Sequence, residues 1–447
     1  MSWISRSSVG LRAAFSRKSA KWEMWSIGLA GALILGAVLR LVWVMDMEYK
    51  GDEAWTFDRT QRVGRTEPFP WLGMDSSVKV SNPGMNVWVF LLLAKLFLAR
   101  DPTTLARAVQ LLNVSAIVLL VIFAFRMVLK EEREPWLWAA ALVSVNPLAV
   151  LFHRKIWPPS VLPILTLLML TGWWRRDRRW GAFTWGLVAV CLGQIHMPGF
   201  FLAGGFVIWA MLFDRERVAW KSWLIGSSLG ALPLIPWLKY MFTRFGDRPS
   251  FTKWSRLFEF KLWTHWATEP LGIGLKYALG RNFSEFLAYP IISGRPTYLV
   301  GLLHLLLIVL GVVILARAGY LAWRDRQRWR DLLVGTESET AFTVNAALLG
   351  FGILLTASML PFHRHYLIVT FPLMYVWLAR LALVHSRDPS KTPTLGRAFL
   401  VALCISESLL SAGFLYYIHV NQGAPRGGYG VAYGAQERSK ILSPGRR

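Results

Sequence analysis

Long apolar segments follow one another along almost the whole chain, and this pattern constrains the fold more than any other feature. A helix needs roughly 20 residues to cross the apolar core of a bilayer, which is about 30 Å thick. In lipid every backbone polar group must be paired within the structure, so apolar segments of this length fold as helices. The predicted helices are 25–45, 85–99, 105–129, 136–152, 157–174, 181–197, 198–213, 220–240, 297–320, 341–359, 366–385 and 396–418.

Composition supports the same conclusion. Hydrophobic residues make up 54% of the 447 residues, with 24 Trp and 26 Phe, which is more than a soluble domain of this length uses for its core. We therefore expect an all-α polytopic membrane protein. The two cysteines, Cys191 and Cys404, lie inside apolar segments, which is not the pattern of a disulfide framework or a metal site.

The basic residues indicate the orientation in the membrane. The formal net charge is +24, but the basic residues form short clusters between apolar segments. This pattern argues against nucleic acid as a partner and indicates anionic membrane lipids and cytoplasmic loops. The N-terminus and four clusters are therefore predicted to be cytoplasmic; the clusters are 173–180, 214–221, 323–331 and 385–391.

This orientation requires one apolar segment not to cross the membrane. The best candidate is 85–100, which is short, contains Lys95 and follows the turn residues Pro83 and Gly84. We expect it to lie in the outer interface as an amphipathic helix. About eleven spanning helices then remain, and they belong to a single module that covers residues 1–447.

With this topology, several connecting segments share the outer face of the membrane. Seven of the eight histidines lie at or near this face, and ionisable groups at membrane depth usually have a function. We therefore expect a polar site built from several outer segments. These are the first outer loop 46–104, the segments 152–160 and 194–199, the second large outer loop 243–296, the segment 360–366 and the short tail 419–447.

Two adjacent carboxylates, Asp52 and Glu53, follow the first apolar segment. One interpretation is structural, because Asp52 is suited to cap a helix and both acids favour a helix N-terminus. The other is catalytic, with Asp52 as the general base for an acceptor hydroxyl or amine and Glu53 fixing its position. The two interpretations are compatible, because a capping carboxylate is held rigidly.

Basic and aromatic side chains on the outer face are candidates for binding a phosphate. Positive charge on this side runs against the usual bias of membrane proteins, and an anionic group would compensate it. Arg also offers a bidentate fork for phosphate oxygens. The alternatives are a solvated loop lysine, a cationic cluster that reaches the membrane interface and a histidine bonded to backbone. The candidates are Lys79, His153, Arg154, Lys155, His196, His363, Arg364, His365 and Tyr366.

The chain resembles the protein-mannosyltransferase-like glycosyltransferases in the order of three features. These are Gly51-Asp52-Glu53-Ala54 after the first helix, a turn at Asn82-Pro83-Gly84 before an interfacial helix, and His363-Arg364-His365-Tyr366 before a late helix. That family, glycosyltransferase family 39 of the GT-C superfamily, includes the aminoarabinose transferases of lipid A.

The resemblance implies a GT-C-type helix bundle and a polyprenyl-phosphate sugar donor. Asp52 is similar to the family's catalytic acid/base residue and Glu53 to its neighbour. Lys79 is similar to a loop lysine that meets the lipid phosphate, and Arg364-His365-Tyr366 to the late outer loop. A second Asp that several members carry after the helix ending near 152–160 is missing here. A divalent metal at Asp52 is therefore left open, and no other cofactor is expected.

The function expected from these features is a membrane glycosyltransferase of the bacterial inner membrane, acting at its periplasmic face on a lipid, glycan or protein acceptor. Trp263, His265 and Trp266 in the second large outer loop are candidates for the acceptor site, although the same residues suit amphipathic helices in the interface. The alternatives are a multi-pass transporter or lipid flippase, which predicts inverted repeats and helices broken at mid-membrane, and a lipid-linked glycan ligase or polymerase.

Overall fold

The computed structural model describes residues 27–75, 80–243, 253–324, 338–384 and 394–442. These residues are mainly helical, with three short antiparallel hairpins in the connecting segments. The helices are α1 (Ile27–Leu41), α2 (Gly51–Arg62), α3 (Met85–Leu96), α4 (Pro102–Arg126), α5 (Arg133–Val145), α6 (Pro147–Phe152), α7 (Leu162–Trp174), α8 (Arg179–Ile195), α9 (Pro198–Phe213), α10 (Trp220–Ala231), α11 (Ile235–Thr243), α12 (Lys261–Thr268), α13 (Lys276–Leu279), α14 (Phe283–Leu287), α15 (Leu299–Arg324), α16 (Glu339–Ala357), α17 (Leu373–Leu383), α18 (Thr394–Asn421) and α19 (Tyr433–Leu442). The hairpins are β1 (Leu72–Asp75) with β2 (Ser81–Pro83), β3 (Ile291–Ile292) with β4 (Arg295–Pro296), and β5 (Gly423–Ala424) with β6 (Gly430–Val431).

The chain is an integral membrane protein. Within the described residues, 4 helices are long and apolar enough to cross a bilayer, namely α4, α15, α16 and α18. The 3-10 helix Arg364–Thr370 and α17 together make a fifth candidate span, bent by 80°. Shorter apolar helices, among them α1 and α9, accompany these spans. The count of about eleven spanning helices stays a prediction.

Prolines break two segments that the sequence predicts as continuous helices. The predicted helix 136–152 is split between α5 and α6, because Pro147 has no N–H to donate and restricts the residue before it. Asn146 restarts the helix, since its Oδ1 accepts hydrogen bonds from the backbone N–H groups of Leu148 and Ala149 at 3.1 Å. The predicted helix 366–385 is bent in the same way where Pro372 follows the 3-10 turn.

Helix α3 lies where the interfacial helix was predicted. It has 12 residues, about 18 Å at the helical rise of 1.5 Å per residue, which is too short to cross an apolar core of about 30 Å. One face is buried, and Asn86 on that face donates a hydrogen bond to the carbonyl of Ile195 at 3.0 Å. The opposite face exposes Leu92 and Leu96. Its position in the interface stays a prediction.

Two of the predicted cytoplasmic clusters meet at one end of the bundle. Arg176, after α7, lies 2.6 Å from Asp214 and also pairs with Glu339 at the start of α16. Arg217 lies 3.0 Å from the same Glu339. The clusters 323–331 and 385–391 fall mostly or wholly outside the described residues. The segments 152–160 and 194–199, which are predicted to be outer, lie at the other end of α7 and α8.

The tail packs on the first outer loop. The Tyr429 hydroxyl donates a hydrogen bond to the carbonyl of Asp46, and the Tyr433 backbone N–H donates to the carbonyl of Met47 at 3.1 Å. At the end of α18, His419 lies 2.7 Å from Asp46 and its ring stacks on Trp43 at 4.2 Å. Residues far apart in the sequence therefore hold the start of this loop.

Candidate active site

Helix α2 presents the two adjacent carboxylates in different directions. Asp52 is exposed in the first turn, whereas Glu53 is 2% exposed. Glu53 accepts a hydrogen bond from the Lys50 backbone N–H at 3.0 Å, which closes the start of the helix. Burial raises the pKa of Glu53; Lys155 opposes this shift and Glu48 adds to it. Asp52 therefore faces water, while Glu53 points into the protein towards a cation.

That cation, Lys155, is buried between carboxylates. Its Nζ lies 2.5 Å from Glu48, and both side chains are almost fully buried. Lys50 lies 2.5 Å from the other oxygen of Glu48 but is 45% exposed. Burial lowers the pKa of Lys155, but Glu48 and Glu53 outweigh this effect and hold that pKa above its usual value. The ammonium group is thus fixed and charged.

Lys155 connects the acidic end of α2 to a histidine cluster formed by His196, His363 and His365. Its Nζ lies 4.9 Å from the centre of the Trp157 ring, and that ring lies 4.9 Å from the ring of His365. The His365 ring in turn lies 5.4 Å from His196 and 5.6 Å from His363. The structure therefore brings the predicted acidic and basic residues to the same end of the bundle.

Tyr366 belongs to this histidine cluster, and Arg364 lies next to it in the sequence. The Tyr366 ring lies 5.0 Å from His365. The Arg364 guanidinium turns away from these rings, with Nε 3.1 Å from Glu269 and Nη2 3.3 Å from His265 Nδ1. It rests against Gly274, where a Cβ atom would overlap its Nη1. The absence of a side chain at Gly274 makes room for the guanidinium.

A small cavity lies beside Arg364 and Glu269. Its volume is ≈ 30 Å³, and its polar lining includes His153, Glu269, Arg364 and Tyr375 among apolar residues. A cavity of about 10–15 Å³ on this scale holds one water molecule, so the space suits one or two. A sugar phosphate does not fit in it.

Two predicted phosphate ligands make their hydrogen bonds inside the protein. Arg154 donates to the carbonyls of Leu39 at 2.7 Å and Trp43 at 3.0 Å. His153 Nδ1 accepts a hydrogen bond from Arg40 Nε at 3.1 Å. Both side chains are buried and tie the segment 152–160 to α1. Lys79 lies outside the described residues.

The three acceptor-loop candidates differ in exposure. Trp266 is 1% exposed and belongs to the core. Trp263 is half-buried and packs close to Gly352. His265 is half-buried and stacks on Phe362 at 5.8 Å. Of the three, His265 lies nearest to Arg364.

The described residues contain no group of three or more His, Cys, Asp or Glu side chains that could hold a metal ion. Asp52 and Glu53 diverge, so this carboxylate pair does not form a bidentate site.

Sequence reasoning missed three buried carboxylates. Glu48 lies just ahead of the acidic pair in the first outer loop. Glu269 lies four residues after His265, at the spacing that places two side chains on one helix face. Glu407 lies within α18, is fully buried, and accepts a hydrogen bond from Asn146 at 2.9 Å. Its position inside an apolar segment was a usable signal, since carboxylates in membrane spans are costly.

This arrangement suits transfer chemistry on an anionic substrate. An exposed carboxylate can accept a proton from an entering nucleophile. Fixed cations and imidazoles nearby can stabilise charge that develops on a leaving group. The aromatic rings of Trp157 and Tyr366 provide apolar surface between these groups.

The comparisons with known proteins give one structural likeness. The chain is similar to ArnT from Cupriavidus metallidurans, whose crystal structure was solved bound to undecaprenyl phosphate, with a TM-score of 0.48 and 11% sequence identity over 94% of this chain and 79% of that chain. No protein-family model matches the chain, and no curated protein matches it. At this identity and TM-score, the likeness assigns neither a residue nor a substrate.

Proposed function

We propose that the protein is a GT-C-type membrane glycosyltransferase that transfers a sugar from a polyprenyl-phosphate donor to a lipid, glycan or protein acceptor. The observation that carries the proposal is the line of contacts from Glu48 through Lys155 and Trp157 to His365. The exposed Asp52 is proposed to act beside these groups, because its neighbour Glu53 points towards Lys155. The reaction would take place at the periplasmic face of the bacterial inner membrane.

A lipid-linked donor suits this site because its lipid tail stays in the bilayer while its phosphate reaches the outer segments. The residues proposed to meet the phosphate are His365 and its neighbours Lys155, His196, His363 and Tyr366. Arg364, whose guanidinium turns towards Glu269, is proposed to join them. Lys79 is proposed to join them from the first outer loop. His153 and Arg154 are proposed to be positioning residues, because their hydrogen bonds to α1 fix the segment that carries Lys155 and Trp157.

In the proposed mechanism, Asp52 takes the proton from the acceptor hydroxyl or amine. The acceptor oxygen or nitrogen then forms a bond to the anomeric carbon, and the bond from that carbon to the phosphate oxygen breaks. Polyprenyl phosphate leaves with the electron pair, and the cations around His365 stabilise its charge. A single displacement inverts the anomeric centre. Glu53 acts as a positioning residue, because it holds the start of α2 against Lys155.

The first experiment identifies the donor. Lipids are extracted from the purified protein and analysed by mass spectrometry, and a polyprenyl-phosphate sugar is expected among them. The same donor is then added to protein reconstituted in liposomes, with lipid, glycan or protein acceptors, and its consumption is followed by mass spectrometry. No consumption of donor with any class of acceptor would contradict a transferase.

The second experiment tests Asp52. Asp52→Asn should lower the rate of transfer roughly 10²–10⁴-fold, which is the usual contribution of a general base. Asp58→Asn is the matched control, because Asp58 is an exposed acid in the same helix that pairs with Arg62. Undiminished transfer by folded Asp52→Asn protein would show that the assigned role is wrong.

One observation favours a transporter or flippase as a second candidate. The break between α5 and α6 lies beside the buried Glu407, and broken helices with buried carboxylates are typical of transporters. However, the carbonyls of Val143 and Ser144 at the break accept hydrogen bonds from Arg40 at 2.8 and 2.6 Å, so these groups are occupied by the protein. Movement of labelled lipid across liposomes without any covalent product would favour this candidate.

A further inference from the structure

Arg364 lies close to a carboxylate, Glu269, but one of its guanidinium nitrogens has no hydrogen-bond partner in the described part of the chain. Its Nε lies 3.1 Å from Glu269 Oε1, while its Nη1 is buried and has no hydrogen-bond partner within the described part of the chain. Glu269 is itself 3% exposed, and its Oε1 accepts no well-aligned hydrogen bond there. The pair is therefore close but incompletely bonded, and both groups line the small cavity.

The neighbouring His265 does not neutralise Glu269. His265 Nδ1 lies 3.3 Å from Arg364 Nη2 and 3.5 Å from Glu269 Oε1. Because a guanidinium can only donate, the contact with Arg364 favours the form of His265 in which Nδ1 carries no proton. Burial and the charge of Arg364 lower the pKa of His265 to about 4. The imidazole is thus neutral at physiological pH, and the cation next to Glu269 is Arg364.

Other ionisable groups face Glu269 from the remaining elements around it. His153, after α6, and Tyr375, in α17, line the same cavity. Glu407 in α18 is linked through Asn146, whose Nδ2 donates to the Glu269 carbonyl at 3.1 Å and to Glu407 at 2.9 Å. These groups add no positive charge next to the carboxylate, because His153 accepts its hydrogen bond from Arg40.

We propose that Glu269 is an internal counter-ion that competes with the phosphate of a lipid substrate for Arg364 and yields it by taking up a proton. This inference rests on the proposed function. Ionised Glu269 holds the guanidinium; protonated Glu269 leaves the charge of Arg364 to a phosphate. The proton comes from solvent, and the cavity has room for the one or two water molecules that would carry it.

The balance between the two forms falls in an accessible pH range. Burial raises the pKa of Glu269 to about 8, with Arg364 opposing the shift. When a phosphate takes Arg364, Glu269 loses its cation and its pKa rises further. Phosphate binding above pH 8 is then accompanied by uptake of up to one proton, so the dissociation constant rises up to about tenfold per pH unit. A phosphate monoester does not titrate in this range, since its second pKa is about 6.

The test is the affinity of the full-length protein in detergent micelles for farnesyl phosphate, measured by calorimetry between pH 7 and pH 9.5. For the wild type, the dissociation constant should be nearly constant up to pH 8 and then rise towards tenfold per unit. Titrations at pH 9 in two buffers of different ionisation enthalpy count the protons taken up. Inorganic phosphate is titrated in parallel, and should bind more weakly because it lacks the lipid chain.

Two variants test whether the pH dependence comes from the Glu269 carboxylate. Glu269→Gln keeps the shape of the side chain but cannot ionise, so its dissociation constant should stay constant to pH 9.5 and its proton uptake should vanish. Glu259→Gln is the matched control, because Glu259 lies in the same loop, where it pairs with Lys261 at 2.8 Å, and it should reproduce the wild-type profile.

A wild-type profile that is flat to pH 9.5 overturns the inference while leaving the proposed function standing. A pH dependence that persists in Glu269→Gln also overturns it. Inorganic phosphate binding as tightly as farnesyl phosphate would overturn the lipid source of the phosphate. Absence of farnesyl phosphate binding at every pH would remove both the inference and the proposed function. Because the wild-type profile is decisive by itself, the test does not depend on how well the variant folds.

Discussion

Replacing Lys155 with Met removes the cation from between Glu48 and Glu53. The Lys155–Glu48 pair is 2.5 Å long, with exposed fractions of 6% and 4%. Met fills a similar volume without charge, so the apolar packing against Trp157 is largely kept. The change leaves the buried carboxylates of Glu48 and Glu53 without the positive charge that lies between them.

The structure supplies a matched control for this change. Lys50 also lies 2.5 Å from Glu48, but its side chain is 45% exposed. Removing one partner of a buried ion pair costs about 3–5 kcal/mol, whereas exposed pairs contribute about 0–1 kcal/mol. Lys155→Met should therefore lower the free energy of unfolding by about 3 kcal/mol more than Lys50→Met.

The stability loss of Lys155→Met should also depend on pH, and the pKa of Glu53 predicts in which direction. Burial raises the pKa of Glu53, and Lys155 opposes that shift, so the pKa of Glu53 rises further in Lys155→Met. A carboxyl group whose pKa is higher in the folded state favours folding at low pH and loses that stability as pH rises through the folded pKa. The free energy of unfolding that Lys155→Met loses relative to the wild type should thus be small near pH 4.5 and grow towards neutral pH.

Both effects can be measured by denaturant unfolding in detergent micelles, followed by tryptophan fluorescence, for the wild type and both variants between pH 4.5 and pH 8. Equal losses for Lys155→Met and Lys50→Met at neutral pH would refute the reasoning, because both ammonium groups lie 2.5 Å from Glu48 and only Lys155 is buried. A deficit that is largest at low pH would refute the assigned role of Glu53.

Two further changes test the region around Arg364. Gly274→Ala should displace the guanidinium, since a Cβ there would overlap Nη1, and should weaken farnesyl phosphate binding about tenfold or more, as for loss of one charged hydrogen bond; Gly319→Ala, which has open space around it, should bind as the wild type does. Asn146→Ala removes the helix cap and the hydrogen bond to Glu407, so thermal unfolding should show a loss of about 2–4 kcal/mol, the sum of a cap and an unsatisfied buried group. A loss below about 1 kcal/mol would mean that Glu407 is protonated or hydrated without help from Asn146.

Much of the helical order could be predicted from hydropathy, because an apolar segment in lipid must satisfy its own backbone. The helices α4, α15 and α18 match the predicted segments 105–129, 297–320 and 396–418 to within a few residues. The break at Asn146 and Pro147 was missed, since both residues lie in a segment whose mean hydropathy is high. The proline itself was the signal, because a proline inside a helix removes a backbone hydrogen bond and breaks or kinks the helix.

The site was predicted less completely, for a physical reason. Residues such as Asp52 and His365 stand out because they lie in short polar stretches between apolar helices. Their partners do not, because Glu48 and Glu269 are defined by what they contact across the fold. Hydropathy and spacing carry no information on such long-range pairs, so the sequence indicated which charges to expect but not how each is compensated.

The contact between Tyr429 and Asp46 joins residues 383 positions apart. During synthesis the first outer loop emerges long before the segment that clasps it, and every helix in between must be inserted first. Incompletely translated or truncated chains therefore lack the contacts that hold the segment leading into α2. A reporter fused near residue 430 would disturb the contacts that hold the start of the first outer loop.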